Sequence, residues 1–314
     1  MPSYHHIPVM LQEVIDYLDC KSGMVYADCT LGGAGHTRAI LERITPDGMV
    51  IGMDQDKDSV ANAEAILKPY SRNVRIFHSN FIYLSDILSQ LNIQSVDGIL
   101  LDLGLSLHQL ESGGRGFSFK RDESLDMRMD IGSDTTAGDL VNDLGQDQLE
   151  KIFKEYGEER WARRIARRIA EVRKHRRIAS SRQLSQIICD AIPRKAYPKK
   201  IHPATRVFMA LRIAVNKELE RLDSFMQKSA DLLKPGGRIC VLSFHSLEDR
   251  IVKHRMKEME KECICPRSRA MPICTCNKES VIRILTKKPR QPTAEEIAVN
   301  PMARSTKLRA AERL

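Results

Sequence analysis

The chain has 314 residues, 42 % of them apolar and 5 % aromatic, enough for one large domain or two ordinary ones. No apolar run approaches the roughly 18–20 residues that a membrane-crossing helix needs, and residues 1–10 lack the basic-then-apolar order of a secretory leader, so a cytoplasmic protein with no membrane contact is expected. The net charge of +9 is concentrated: from Arg160 to Arg212 there are sixteen Lys or Arg against two acids, Glu171 and Asp190. That is how a nucleic-acid footprint looks in sequence, although a solvated helical face is the plainer alternative.

Residues 24–29 read as a strand that ends in the turn Thr30-Leu31-Gly32-Gly33-Ala34-Gly35. A helix runs on to residue 44, with Gly48 marking its end, and a second strand at 49–53 closes on Asp54. Residues 59–67 are helical up to Pro69, 74–77 form a third strand, and 81–91 an amphipathic helix. The apolar run 99–103, bounded by Asp97-Gly98 and Gly104, reads as a fully buried strand. Such alternation predicts a parallel sheet covered on both faces. Then it stops: 106–206 holds a Gly-rich loop at 112–116 and helices, with no convincing strand. One long helix, 207–233, ends at Pro235-Gly236-Gly237, followed by a strand at 238–242, a helix at 247–262, a Cys-bearing loop, a strand at 281–285 and a basic tail. The expected fold is α/β, a doubly wound sheet from 1–105 and 207–314 interrupted by a helical insertion at 106–206.

In open parallel sheets, ligands bind beyond the carboxyl ends of the strands, near the point where strand order reverses. The turn at 28–35 belongs there. Its glycines let backbone approach a ligand, and the following helix offers free N–H groups. Asp54, ending the second strand, is placed to accept two ribose hydroxyls. The dinucleotide fingerprint wants Gly or Ala where this chain has Arg38, whose bulk would spoil helix–strand packing, and there is no Walker lysine. A nucleoside cofactor whose only anion is a carboxylate suits the turn better, and S-adenosyl-L-methionine is one. Asn80-Phe81 would then sit against adenine and Asp102 near the reactive methyl, with a core position for Phe81 equally compatible with its sequence.

Seven ordered motifs carry a resemblance over nearly the whole chain. They are Asp28-Cys-Thr-Leu-Gly-Gly-Ala-Gly-His36, Asp97-Gly-Ile-Leu-Leu-Asp-Leu-Gly104, Arg115-Gly-Phe-Ser-Phe119, Leu125-Asp-Met-Arg-Met-Asp130, Ala210-Leu-Arg-Ile-Ala-Val-Asn216, Ser243-Phe-His-Ser-Leu-Glu-Asp-Arg250 and Asn300-Pro-Met-Ala-Arg-Ser305. Together they resemble the bacterial small-subunit rRNA (cytosine-N4) methyltransferases of the RsmH (MraW) family. The resemblance implies a class I S-adenosylmethionine methyltransferase fold, Rossmann-like, with the insertion as a substrate domain. It implies methylation of the exocyclic amine of a cytidine in the decoding region of 16S rRNA. It assigns cofactor contacts to Ala34, Gly35, His36, Asp54, Phe81, Asp102 and Gln109. Ala34 stands where many relatives have glycine, harmless if φ there is negative, and Leu107-His108 replaces a Ser-Pro-like pair before Gln109.

The N4 amine is a poor nucleophile, because its lone pair is delocalised into the ring. Positioning, together with acceptors that hold and remove its hydrogens, is what the protein must supply. Asp102 and the Leu103 carbonyl are the expected acceptors. His245, ending the fifth strand, is a second catalytic candidate as a proton relay, against the commoner structural role of a histidine. Asn216, read as lying near the start of a long helix facing that rim, is a third, for base recognition.

Arg160, Arg163, Arg164, Arg167 and Arg168 fall on one side of a helix, with Trp161, Ile165, Ile169 and Val172 opposite. The arginine side, extended by Lys195, Lys199, Lys200 and Arg206, is expected to meet phosphates of 16S rRNA in the small ribosomal subunit. Apolar surface on the insertion could support a homodimer. Cys20, Cys29, Cys189 and Cys240 are expected as small core residues. Cys263-Ile-Cys265 and Cys274-Thr-Cys276 read either as a thiolate zinc site or as surface thiols, and the sequence alone assigns no metal. Two rival readings are a DNA amino-methyltransferase, whose Asp/Asn-Pro-Pro-aromatic loop is absent after Asp102, and a non-catalytic RNA-binding assembly factor.

Overall fold

The computed structural model describes residues 7–106, 109–110, 114–263, 265, 276 and 278–314. The chain divides into a sheet unit, residues 1–104 with 219–314, and a helical unit, residues 105–218.

The sheet unit is built on seven strands: β1 (Val25–Asp28), β2 (Met49–Asp54), β3 (Val74–His78), β4 (Val96–Asp102), β5 (Leu233–Ser243), β6 (Ile282–Ile284) and β7 (Lys307–Arg313). Their order is β3-β2-β1-β4-β5-β7-β6. The first five are parallel, and β7 runs antiparallel to both β5 and β6. The order reverses between β1 and β4, which makes that edge the switch point. β4 shows why the central strands are legible. Its Ile99 and Leu101 join the core on one face, Leu100 the core on the other, and an uninterrupted apolar run satisfies both. Helices α1 (Leu11–Leu18), α2 (Gly35–Ile44), α3 (Lys57–Ile66) and α4 (Leu84–Gln90) belong to this unit. The helix expected at 81–91 begins as a 3-10 turn, Phe81–Tyr83, capped by the Asn80 side chain.

The C-terminal segment, expected to be a basic tail, is instead strand β7. Leu308 and Ala310 join one core and Ala311 the other. Arg309, almost fully buried, donates to Asp249 at 2.7 Å, and Lys307 to the same carboxylate at 2.9 Å. Alanine and arginine have little β preference, so pairing on both sides and the buried ion pairs decide the conformation.

The helical unit contains α5 (Ala137–Asp143), α6 (Gln146–Glu155), α7 (Ala162–Arg173), α8 (Ser181–Ala191) and α9 (Thr205–Asn216) around one apolar core. Its only β pairing among the described residues is an isolated bridge, Ser124 to Ser180. The single helix expected at 207–233 is broken. Lys217 is left-handed, at φ +50°, and separates α9 from α10 (Glu218–Lys228), after which a 3-10 turn, Ser229–Leu232, leads into β5. Val207, Phe208, Ala210, Leu211 and Val215 of α9 are part of the helical core, whereas Leu222, Phe225 and Met226 of α10 belong to the sheet unit. The boundary therefore falls at 218/219 rather than at 206/207, and at 104/105 rather than after 105.

Candidate active site

The turn after β1 is tied to the ends of its neighbours. Gly32, at φ +47°, donates its N–H to Asp54 Oδ2 at 2.9 Å, while Asp56 N–H donates to Oδ1 at 2.9 Å. Both carboxylate oxygens of Asp54 thus have one fixed donor and retain acceptor capacity. Burial pushes its pKa up to about 6, against the two backbone donors. Beneath the turn, Asp28 is fully buried. It accepts from Thr37 Oγ1 at 2.5 Å and Thr30 N–H at 3.2 Å, and burial raises its pKa to about 7. Thr30 Oγ1 in turn accepts from Asp102 N–H at 2.6 Å, linking β1 to β4 across the switch point.

Ala34 caps α2 at φ +59°, in the left-handed region, so the condition under which alanine would cost nothing there, a negative φ, is not met. Its N–H donates to the Leu31 carbonyl at 2.6 Å, and its methyl is fully buried. A single methyl tolerates this conformation; a branched side chain does not. Ala34→Val is expected to destabilise the fold by about 2–4 kcal/mol, from backbone strain plus overpacking, and urea unfolding measures it. Gly35 opens the helix with the Pro8 ring so close that an added Cβ would meet it at 2.9 Å. Arg38 does not face the strand: it is solvent-exposed and pairs with Glu42 at 2.9 Å. Its bulk therefore has no bearing on helix–strand packing, and that part of the case against a dinucleotide falls away.

At the end of β4, Asp102 Oδ1 is buried and has no hydrogen-bond partner among the described residues, and Oδ2 lies 3.5 Å from His36 Nδ1. The other ring nitrogen of His36 lies 3.0 Å from the Val9 carbonyl, which can only accept, so Nε2 carries a hydrogen. The Nδ1–Oδ2 approach is then attractive only with a proton between the two. Burial, then Asp28 and Glu248, hold the Asp102 carboxyl well above its usual range. On the neighbouring strand ends, Phe81 is buried edge-on against Phe225, with ring centres 5.4 Å apart. Gln55 Oε1 accepts from Asn80 Nδ2 at 2.8 Å and Arg221 at 3.1 Å.

The sequence profile of the MraW methylase family matches residues 3–314. The chain belongs to that family. It is 53 % identical over 313 residues to ribosomal RNA small subunit methyltransferase H of Desulfosudis oleivorans, covering 99 % of this chain and 100 % of that one. With the protein of the same description from Clostridioides difficile it shares 45 % over 311 residues, 99 % of each chain. A solved rRNA methylase structure from Streptococcus thermophilus covers 99 % of this chain and 99 % of its own, with a TM-score of 0.42 and 10 % identity.

This MraW methylase has the seven-stranded sheet order, with β7 antiparallel, of the class I methyltransferase fold, whose cofactor is S-adenosylmethionine. The switch point fits that group. Asp54 has acceptor capacity beside the turn, and Asp102 holds the one buried carboxylate oxygen left without a partner among the described residues. Ala34, Gly35, His36, Asp54, Phe81 and Asp102 all lie at or just beyond the carboxyl ends of β1–β4. Gln109 belongs to the helical unit, where it is buried and its Oε1 accepts from Ser106 N–H at 3.0 Å. Leu107 and His108 lie outside the described residues.

The other two catalytic candidates have structural duties. His245 is the N-cap of α11 (Ser246–Glu260): its Nδ1 accepts from Glu248 N–H at 3.4 Å, and its Nε2 lies 3.0 Å from Glu248 Oε1. Glu248 Oε2 accepts the Phe244 and His245 N–H groups. Asn216 ends α9 rather than beginning a helix. It is buried, with Oδ1 accepting from Met129 N–H at 2.8 Å and Nδ2 donating to the Met127 and Arg212 carbonyls. An amide so occupied holds the 127–129 segment: both of its N–H donors are taken, and its oxygen keeps one acceptor lone pair. Asp28, Thr30, Thr37 and Gln55 were not singled out as site residues from the sequence. Asp28 and Thr30 belong to the first motif, but only the buried contacts reveal their role.

Proposed function

We propose that this protein transfers a methyl group from S-adenosylmethionine to N4 of a cytidine in the decoding region of 16S rRNA. The relatives described as small-subunit rRNA methyltransferases support the substrate class. The observation that carries the chemistry is the buried, unpartnered Asp102 Oδ1 at the switch point. Bound S-adenosylmethionine supplies a sulfonium methyl that is open to in-line displacement. The chain's own residues position and accept. Asp54 takes hydrogen bonds from a ribose diol, and Phe81 offers an apolar face to a base. Asp102 Oδ1 holds an amine hydrogen and draws off a proton as charge develops on the nitrogen. Once ionised, a carboxylate with a raised pKa takes that proton more readily than an ordinary one.

RNA is held, in this reading, by α7. Its residues Ile165, Ala166 and Ile169 are buried, whereas Arg163, Arg164, Arg167 and Arg168 are exposed. Arg160 leans over the Trp161 ring at 5.4 Å. Such arginines position the phosphate backbone without reading sequence. The protein works in the cytoplasm on the ribosomal small subunit or its RNA; no helix among the described residues is long and apolar enough to cross a membrane. A homodimer through the apolar surface of the helical unit is part of the same proposal.

The test is transfer of a labelled methyl group to free 16S rRNA, to assembled 30S particles and to duplex DNA, with the modified base mapped. Label at cytidine N4 of 16S rRNA or 30S particles is expected. Label on DNA would favour the amino-methyltransferase rival, and absence of transfer with intact cofactor binding would favour an assembly factor.

A further inference from the structure

We propose that Cys263, Cys265 and Cys276 hold a zinc ion at the neck of the connection between α11 and β6. Their three Sγ atoms lie within 4.8 Å of one another, and the Cys263 and Cys276 sulfurs are 3.8 Å apart. A disulfide requires about 2.05 Å, so this pair is not bonded. A tetrahedral zinc with Zn–S bonds of about 2.3 Å sets its sulfurs about 3.8 Å apart, the separation found here. The Cys265 N–H donates to Cys263 Sγ at 3.3 Å, a contact that favours the thiolate a metal needs.

The convergence is built by the fold on both sides. Lys278 Nζ donates to the Glu258 carbonyl and, at 2.8 Å, to the Lys261 carbonyl, closing the end of α11. Val281 N–H donates to the Met259 carbonyl at 3.0 Å. The strands of chain bearing Cys263 and Cys276 are thereby fixed side by side, although 13 residues separate them in sequence. Thiolate sulfur is soft, which selects zinc over magnesium or calcium. Each thiol entering the site releases its proton to solvent as the Zn–S bond forms, so the site is a staple and carries out no redox step. Three thiolates leave one corner of the tetrahedron for a further ligand, and Cys274 lies outside the described residues.

The full untagged chain, purified under reducing conditions without chelator, is expected to carry one zinc per chain by elemental analysis. A mercurial that modifies thiols should release it. Replacement by Co(II) should give the red d–d bands of a tetrahedral site and near-ultraviolet charge transfer with the intensity of three or four thiolates. Cys263→Ser combined with Cys276→Ser should lose the metal, while Cys20→Ser, a half-buried thiol elsewhere, should keep it. Should the double variant be insoluble, removal and re-addition of zinc on the unmodified chain gives the same answer. Zinc far below one per chain, or a cobalt spectrum reporting two thiolates or fewer, overturns the proposal. Neither result touches the methyl-transfer reading, which cofactor binding and base mapping test separately.

Discussion

Asp102→Ala is expected to cut methyl transfer by about 10²–10⁴-fold at saturating cofactor, the range that a positioned acid–base group contributes. The same substitution should leave the protein as stable as before, or more stable by about 1 kcal/mol. Asp102 is half-buried, with its Oδ1 shielded from solvent and unpartnered among the described residues and its carboxyl raised well above the usual range, so its charged form is disfavoured in the fold. Near-normal turnover would remove its role; lost activity together with a lower melting temperature would instead assign it to the scaffold. The pH dependence follows from the same group of acids. Asp28 titrates at about 7 and Asp54 at about 6, and Asp102 is raised as well, all above the ordinary value of 3.8. Between 3.8 and about 7 the folded chain holds protons that the unfolded chain has already released, so unfolding free energy falls as pH rises through that window. Cofactor-free protein should therefore unfold at lower urea at about pH 8 than at about pH 5.5, and Asp102→Ala should flatten the difference. A stability that rises with pH across that window would contradict the assigned burial.

Combining Arg163→Ala, Arg164→Ala, Arg167→Ala and Arg168→Ala is expected to weaken RNA binding by roughly 10²–10³-fold at moderate salt. The slope of log affinity against log salt should fall by up to about 3, since each phosphate contact contributes about 0.7–0.9. Among the described residues Arg167 and Arg168 pair only with Glu171, at 3.7 and 3.6 Å, and they are 64 % and 47 % exposed. Exposed pairs of this kind contribute between nothing and about 1 kcal/mol, so phosphates displace the glutamate readily. The fold should be nearly indifferent, because the buried side of α7 is untouched. Titration of an rRNA fragment across a salt series reads both quantities. An affinity that does not change with salt would show that the basic face is merely solvated.

The strand–helix order was readable because its signals are local. An apolar run such as 99–103 between turn residues is a strand in almost any context, and an acid at a strand end such as Asp54 has one place to point. The seven motifs added the family, yet several of their residues do structural work that no spacing reveals. Asn216 holds the 127–129 backbone, Asp249 ties α11 to β7, and His245 caps a helix. Their partners lie 87, 60 and 3 residues away, so only the last was within reach of local pattern.

The position of Asp102 at the end of a buried strand, and hence its candidacy for the chemistry, was determined by the sequence alone. The tertiary structure decided that its Oδ1 has no partner among the described residues while Oδ2 faces His36, since that depends on which strand ends are neighbours. It also decided the strand character of the C-terminal segment, the break at Lys217, the left-handed Ala34 and the outward Arg38. The physical reason is the same in each case. Period, run length and turn chemistry act between neighbours along the chain, whereas pairing, burial and charge compensation are settled between residues that only the fold brings together.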